Sequence, residues 1–330
     1  MGVAPLYKLQ AGKETTWGTT VAATAIWYPT MLAGFRDPNA FVQPVERRGS
    51  LAPARRAYLP QQGAEGSIEA ECTFEDVIFF LNMALKTGVI TGASPYTHTF
   101  TPSTTAANTP ISYSMEFGDD VQAFLVGGVL CKNLTLSGQL GQAIMAKADL
   151  FGKSIATTTF TAALTHRTQE SALANKMTVF FDDTGGTIGT GANAKSDGTS
   201  VANSSLVSWE WRIPEHFYPQ YHQAGALTPT TYGEKMFMPE LDLVMAFKAS
   251  VNTLRTKYAA GTRQLVRLRA AGSGSKTLTI DGAYTIVEDP LPFTERDGES
   301  LVNLKLRAEY DSTDALYCSI VVVNLVAALL

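Results

Sequence analysis

The sequence predicts a mainly β fold with two short helices, and three observations lead to this prediction. Several segments alternate apolar and polar residues at period two, which places their side chains on opposite faces of a strand. Glycine-containing turn signals separate these segments. Each helical segment directly follows an alternating segment, so the same order of elements occurs twice. A length of 330 residues accommodates two domains or one large β architecture.

The first half of the chain begins with an alternating strand predicted at residues 66–72. Thr73 is a suitable N-cap for the helix that follows, because its hydroxyl can accept a backbone N–H of the first turn. The negative charges of Glu75 and Asp76 also suit the N-terminus of a helix. Gly88 ends this helical segment. Four further strands are predicted, with a hairpin turn at Gly127-Gly128, and they cover residues 96–100, 111–117, 124–136 and 144–151.

The second half repeats this order with a strand at residues 240–248 and a helix at 251–260. Ser250 is the predicted N-cap of the helix and Gly261 its end. Hairpin turns are predicted at Asp281-Gly282 and Asp297-Gly298. The strands after the helix are predicted at residues 263–269, 276–280, 284–288 and 301–310, and the apolar segment 320–330 is a predicted buried strand and tail.

The repeated order favours a tandem duplication, although convergent β patterning would give the same order. A stretch rich in threonine and alanine, residues 157–175, lacks strand periodicity and marks the boundary between the halves. The predicted organisation is an N-terminal arm at residues 1–30, a first β domain at 31–165 and a second β domain at 166–330.

The amino-acid composition excludes several classes of protein function. Charged residues make up 17% of the chain, against roughly 25% in average globular proteins, so part of the surface is expected to contact other molecules. A net charge of −4 argues against a protein whose main task is binding nucleic-acid phosphates. The cysteines Cys72, Cys131 and Cys318 lie far apart, which predicts buried, reduced thiols rather than disulfides or a zinc site.

The motif search predicts no enzyme, no cofactor and no metal site. The four histidines match no zinc spacing, and the segment 272–277 lacks the glycines of a phosphate-binding loop. The sequence contains neither a nucleophile elbow nor a dinucleotide-binding fingerprint. No signal peptide and no apolar stretch of membrane-spanning length are found, so assembly in a cytoplasm is expected.

Two long loops, residues 37–65 and 213–239, are the candidate contact surfaces, because loops of this length in compact domains are usually functional. The first is either a solvated basic loop or a surface that pairs with an acidic patch on a neighbouring subunit. The second is rich in aromatic residues, which are enriched at protein interfaces. A basic strand with Arg263, Arg267 and Arg269 is expected to be a solvated or salt-bridged outer face. The candidate contact residues of the two loops are Arg47, Arg48, Arg55, Arg56, Phe217, Tyr218, Tyr221 and Tyr232.

The N-terminal segment, residues 8–24, carries the pattern G-x-E-x-x-W-G-T followed by V-x-A-T. It resembles the start of the tail tube proteins, or major tail proteins, of bacteriophages with long non-contractile tails. The residues that fit are Gly12, Glu14, Trp17, Gly18, Thr19, Val21, Ala23 and Thr24.

This resemblance implies a tail-tube β-sandwich or half-barrel with a short flanking helix, and the repeated order of elements predicts that this unit is duplicated in tandem in this chain. It implies self-assembly into stacked rings that form the tail tube, the conduit for genome delivery, as a component of the virion tail. Rings of three duplicated chains or of six chains both fit. Implied partners are other copies of the chain and the tape-measure, tail terminator and tail-tip proteins, with DNA passing through without specific binding.

The resemblance also makes Trp17 a candidate inter-subunit contact, together with the surrounding segment 1–24. Other virion β proteins remain open as alternatives, namely a tail terminator, a tail-tip or a capsid decoration protein. A third possibility is a β-sandwich carbohydrate-binding module that uses the aromatic loop as its platform.

Overall fold

The computed structural model describes residues 4–30, 34–47, 49, 51, 54–182, 205–223, 225–247, 249–291, 293–313 and 315–327, and within them the chain is mainly β. Two α-helices are present, α1 (Val77–Ala84) and α2 (Ala249–Ala260). The strands of the first half are β1 (Lys8–Lys13), β2 (Ala25–Trp27), β3 (Gly34–Arg36), β4 (Ala64–Glu71), β5 (Val89–Thr91), β6 (Tyr96–Phe100), β7 (Tyr113–Gly118), β8 (Ala123–Gln139), β9 (Met145–Gly152) and β10 (Ser154–Thr158). Those of the second half are β11 (Met177–Asp182), β12 (Leu206–Ile213), β13 (Phe217–Gln220), β14 (Thr231–Glu234), β15 (Glu240–Ala246), β16 (Gln264–Ala271), β17 (Thr277–Ile286), β18 (Thr294–Arg296), β19 (Glu299–Ala308) and β20 (Cys318–Asn324).

Eight antiparallel strands form one continuous sheet that runs through both halves. Their spatial order is β3–β4–β9–β8–β12–β15–β19–β17. Strand β18 pairs with the same edge of β19 as β17 does, so it extends the last strand position. The halves meet where β8 pairs with β12 over six residue pairs.

Most of the remaining strands form a second layer around the same core, whereas β13 and β14 pair only with each other. In the first half, β7 pairs with β1 and β8, and β10 pairs with the first part of β8. In the second half, β16 pairs with β11 and β17, and β20 pairs with the first part of β17 and with β6. One apolar cluster contains side chains from both halves, so the predicted mainly β sandwich is confirmed.

The strand pairing of the first half recurs in the second. The pairings β1–β7, β3–β4, β4–β9, β8–β9, β7–β8 and β8–β10 correspond to β11–β16, β12–β15, β15–β19, β17–β19, β16–β17 and β17–β20. The helix follows β4 in the first set and β15 in the second. The two halves therefore share pairing as well as the order of their elements.

Two predicted hairpin turns are wrong, because Gly127-Gly128 lies inside β8 and Asp281-Gly282 lies inside β17. Both pairs mark the point where a long strand passes from one layer to the other. Strand β8 pairs with β10 up to Gly127 and with β9 from Leu130 onward. The predicted strands 276–280 and 284–288 are consequently one strand, which pairs first with β20 and then with β19.

The turn predicted at Asp297-Gly298 is confirmed between β18 and β19. Both residues have positive φ, 53° and 82°, as a two-residue hairpin turn requires. The strands predicted at residues 66–72 and 301–310 are found as β4 and β19, and the C-terminal strand is β20.

The two predicted helices are present with shifted starts. Helix α1 has Asp76 as its N-cap, whereas the Thr73 hydroxyl accepts the backbone N–H of Asp76 at 3.0 Å in the turn before the helix. Helix α2 begins at Ala249, two residues before the predicted start, and Gly261 follows it with a φ of 61°. Every side chain of α1 is buried, so this helix closes one end of the apolar core.

Candidate assembly surfaces

The surface of the eight-stranded sheet opposite the core, here called the polar face, is covered by polar and charged side chains. The alternation of side chains along each strand explains this polar character. When one residue points into the core, its two neighbours point to the opposite surface of the sheet. The acidic side chains on the polar face are Glu65, Glu69, Glu71, Asp149, Glu210, Glu240, Asp242 and Glu299, and the basic ones are Arg36, Lys147, Arg212, Arg296, Lys305 and Arg307. Together with Lys132, which lines the same groove as Glu65 and Asp149, these eight acidic and six basic groups leave the face with a slight excess of negative charge.

Ion pairs connect neighbouring strands across the polar face. The Arg212 guanidinium lies 2.7 Å from a carboxylate oxygen of Glu240, 2.9 Å from Glu210 and 3.1 Å from Asp242. The hydrogen bond with Glu240 is the largest of the causes that raise the pKa of Arg212 above its usual range. Arg307 reaches Glu240 from the other side at 3.2 Å. These contacts hold β12, β15 and β19 together directly beside the junction with β8.

The N-terminal motif surrounds a buried carboxylate. Oε2 of Glu14 accepts the backbone N–H of Gly18 at 2.8 Å and the Ser112 hydroxyl at 2.7 Å. Oε1 accepts the Ser114 hydroxyl and the backbone N–H of Gly128, both at 2.8 Å. The motif therefore attaches the loop after β1 to β7 and to the point where β8 changes layers.

We expect Glu14→Gln to lower the free energy of unfolding by about 2–3 kcal/mol, because a neutral amide replaces a buried carboxylate that accepts four hydrogen bonds. Urea denaturation measures the change. Glu65→Gln is the matched control, since Glu65 is exposed and its change is expected to stay within about 0.5 kcal/mol. Equal effects of the two substitutions would contradict this role for Glu14.

Three predicted contact residues meet in one aromatic cluster inside the chain. Leu130 and Phe151 lie on the polar-face side of β8 and β9, and Phe217 covers them. Trp17 and Tyr232 pack around this group, with ring centroids 5.9 Å apart. The Trp17 indole N–H donates to the carbonyl of Gly128 at 3.0 Å. Phe217 has no exposed surface in the single chain, whereas Trp17 and Tyr232 are half-buried.

The other two aromatic candidates lie on the second loop, where β13 and β14 form a small separate hairpin. Tyr218 is half-buried and has the Lys235 ammonium 5.3 Å from its ring centroid. Tyr221 is half-buried, and burial raises its pKa. The backbone N–H of Gln62 donates to the carbonyl of Leu227 at 2.9 Å, so the base of the first loop contacts the second.

The first loop exposes apolar side chains as well as arginines. Arg47 and Arg55 are exposed, and Arg56 pairs with Glu46 at 2.8 Å, whereas Arg48 lies outside the described residues. The sequence predicts a basic surface for this loop. Its apolar residues are isolated between prolines and arginines and show no periodicity, so their exposure could not be predicted. The exposed apolar residues of the loop are Phe41, Val42, Val45, Leu51 and Tyr58.

The prediction of a basic outer face on the strand after α2 is wrong for Arg267. Its guanidinium is buried and binds the Asp281 carboxylate through two bonds, of 2.5 and 2.6 Å. The partner lies directly opposite on β17. Arg263, at the start of the strand, pairs with Asp311 at 3.1 Å.

The described residues contain no group of three side chains able to hold a metal ion. All three cysteines are free and buried. Burial raises the pKa of Cys72 and Cys318 to about 12, and burial also raises the pKa of Cys131 well above the usual range of a thiol. Because the thiolate is the reactive form, none of these thiols is suited to act as a nucleophile near neutral pH.

We therefore expect the native protein to resist a thiol-specific reagent such as dithionitrobenzoate. Denaturant should expose all three thiols to rapid reaction. Absorbance of the released product counts them under both conditions. Fast reaction of even one thiol in the native protein would contradict this description of the core.

Within the described part of the chain, neither helix is long and apolar enough to cross a membrane.

Comparison with known proteins gives one result that bears on these surfaces. The model of the phage tail tube protein family matches residues 8–308, which covers strands β1 to β19, both loops and the N-terminal motif. No curated protein matches the chain. Because the match extends over nearly the whole sequence, the chain belongs to the phage tail tube protein family, a structural family of the virion tail.

Proposed function

We propose that this protein self-assembles into stacked rings that form the tail tube, the conduit through which the genome reaches the host, and that it has no catalytic role. The observation that carries the proposal is the eight-stranded sheet, with its polar face opposite the core. Among the described strands, none pairs with the outer edge of β3 at one end or with that of β17 and β18 beyond Tyr284 at the other.

Unpaired strand edges favour association with other strands, and closing a sheet on itself removes them. A ring of copies joined through these two ends would be such a closed sheet, with the polar face toward the channel. The mildly negative charge of that face supports passage of DNA without binding, because phosphates would be repelled rather than held.

The repeated pairing supports two equivalent domains, proposed at residues 31–165 and 166–330, and a ring of three chains. Three chains would contribute about 24 strands, and at ~4.8 Å per strand the ring would be roughly 37 Å across between backbones, before any strand tilt. An arrangement of six chains with the second domain on the outside fits less well. It would leave no place for the β8–β12 pairing that joins both domains in one sheet.

The remaining parts of the proposal follow from the family. The rings would assemble in the host cytoplasm and would contact the tape-measure protein inside the tube and the terminator and tail-tip proteins at its ends. The loops 37–65 and 213–239 and the N-terminal segment are the proposed contact segments.

Negative-stain electron microscopy of the concentrated, purified protein tests the proposal. Hollow tubes with regular cross-striations are the expected result. Closed rings that never stack would favour a tail terminator instead. A protein that stays monomeric even when mixed with preformed tail tips would contradict the proposal.

A further inference from the structure

We infer that the contact between neighbouring copies reproduces the junction between the two halves of one chain. The edge of β17 and β18 pairs antiparallel with β3 of the next copy, and the first loop of that next copy packs on the second half of the copy that supplies β17 and β18. This inference rests on the proposed function and specifies the partner surfaces of the ring.

The junction inside the chain supplies the template. Strand β12 pairs with β15 as β3 pairs with β4, and β8 pairs with β9 as β17 pairs with β19. Within the chain, β8 joins β12. By these pairings, β17 with its extension β18 corresponds to β8, and β3 corresponds to β12. Among the described strands, these two have an outer edge with no paired strand. An operation that repeats the relation between the halves would therefore place β3 of a second copy beside β18.

The charges of the two edges are complementary. Residues 34–63, which contain β3 and the part of the first loop that precedes β4, carry five arginines against two acidic residues. Residues 287–299, which contain β18, carry five acidic residues against one arginine. Opposite charge on two surfaces favours their encounter and disfavours the contact of two identical edges.

The second long loop packs against the rest of the chain, whereas the first loop exposes apolar side chains. This difference is expected if the first loop packs against another copy. The second loop is fixed on the first half, where a ring nitrogen of His216 lies 2.7 Å from the carbonyl of Ala84 and Asn108 donates to Glu234 at 2.6 Å. The first loop occupies the equivalent position between β3 and β4. Its Phe41 and Val45 are 67% and 81% exposed, as they would be if the surface that covers them belonged to another copy.

Three variants test this junction. The acidic-edge variant carries Glu295→Lys and Glu299→Lys, and the basic-loop variant carries Arg47→Glu and Arg55→Glu; all four side chains are exposed. The combined variant carries all four changes. The control exchanges the charges of two residues that lie directly opposite each other on β4 and β9, away from both sheet edges and both loops, with Glu69→Lys and Lys147→Glu. Sedimentation velocity and electron microscopy measure the fraction in rings or tubes, and circular dichroism confirms folding.

The inference predicts at least a tenfold loss of assembled material for each two-site variant and its recovery in the combined variant, with the control unchanged. Glu295→Pro should cause a similar loss of assembled material without unfolding the chain. Arg296 and Glu299 close the two-residue turn as a hydrogen-bonded pair, so the N–H of Glu295 is directed away from β19. Proline removes only this outward N–H.

Tubes formed normally by both two-site variants, or no recovery in a folded combined variant, would overturn the inference while leaving the tube function intact. Failure of the unaltered protein to assemble at all, even on tail tips, would overturn the proposed function and this inference with it.

Discussion

Asp281→Asn should lower the free energy of unfolding by about 3–5 kcal/mol, because it removes the negative charge that lies directly opposite the buried Arg267 guanidinium. The two side chains join β16 and β17 near the centre of the second half. Burial raises the pKa of Asp281, and the hydrogen bond and positive charge of Arg267 oppose this rise. Urea denaturation followed by circular dichroism measures the loss.

The matched control is Asp289→Asn. Its carboxylate lies 3.6 Å from Arg255 in an exposed pair, so a change below about 1 kcal/mol is expected. The double variant Arg267→Met with Asp281→Leu removes both charges and should regain most of the stability. A small effect of Asp281→Asn, comparable with that of the control, would contradict a buried ion pair at this position.

Trp211→Ala should lower the free energy of unfolding by a similar amount, about 3–5 kcal/mol. Trp211 is fully buried on β12, and its indole N–H donates to the Tyr284 hydroxyl at 3.1 Å. The substitution would leave a cavity beside the junction of the two halves and remove the donor to a buried hydroxyl. Calorimetric unfolding would report the loss as a lowered Tm.

Substitution by phenylalanine separates packing from hydrogen bonding. Trp209 lies two residues earlier on the same strand, is also buried, and its indole nitrogen has no hydrogen-bond partner within the described structure. Trp211→Phe should therefore destabilise the protein by about 1–3 kcal/mol more than Trp209→Phe. The reverse order would contradict the assigned bond to Tyr284.

Local sequence pattern predicted those strands that have one core face and one polar face. Strands β4, β9, β15 and β19 alternate regularly, so their polar sides, including Lys305 and Arg307, could be assigned before the structure was known. The same reasoning failed at Gly127-Gly128 and Asp281-Gly282. A glycine pair gives the same local signal whether the chain reverses or only passes between layers, and pairing partners distant in sequence decide which occurs.

The contact residues were harder to predict. Aromatic composition suggested an interface, but it does not distinguish a contact inside the chain from one between chains, and Phe217 proved to be buried within the chain. The arginines of the strand after α2 predict a basic outer face, and local pattern does not reveal that Arg267 has a buried partner, Asp281, 14 residues away. The two open sheet edges are properties of topology, so no local signal in the sequence could reveal them.

The number of chains in one ring tests the central claim most directly. Native mass spectrometry of rings dissociated from tubes, supported by end-on class averages, measures it. The proposed ring contains three chains of 35.5 kDa and should appear end-on as a three-fold ring with six similar lobes. Six chains in each ring would contradict it, because the two halves of one chain could not then occupy equivalent places in one closed sheet.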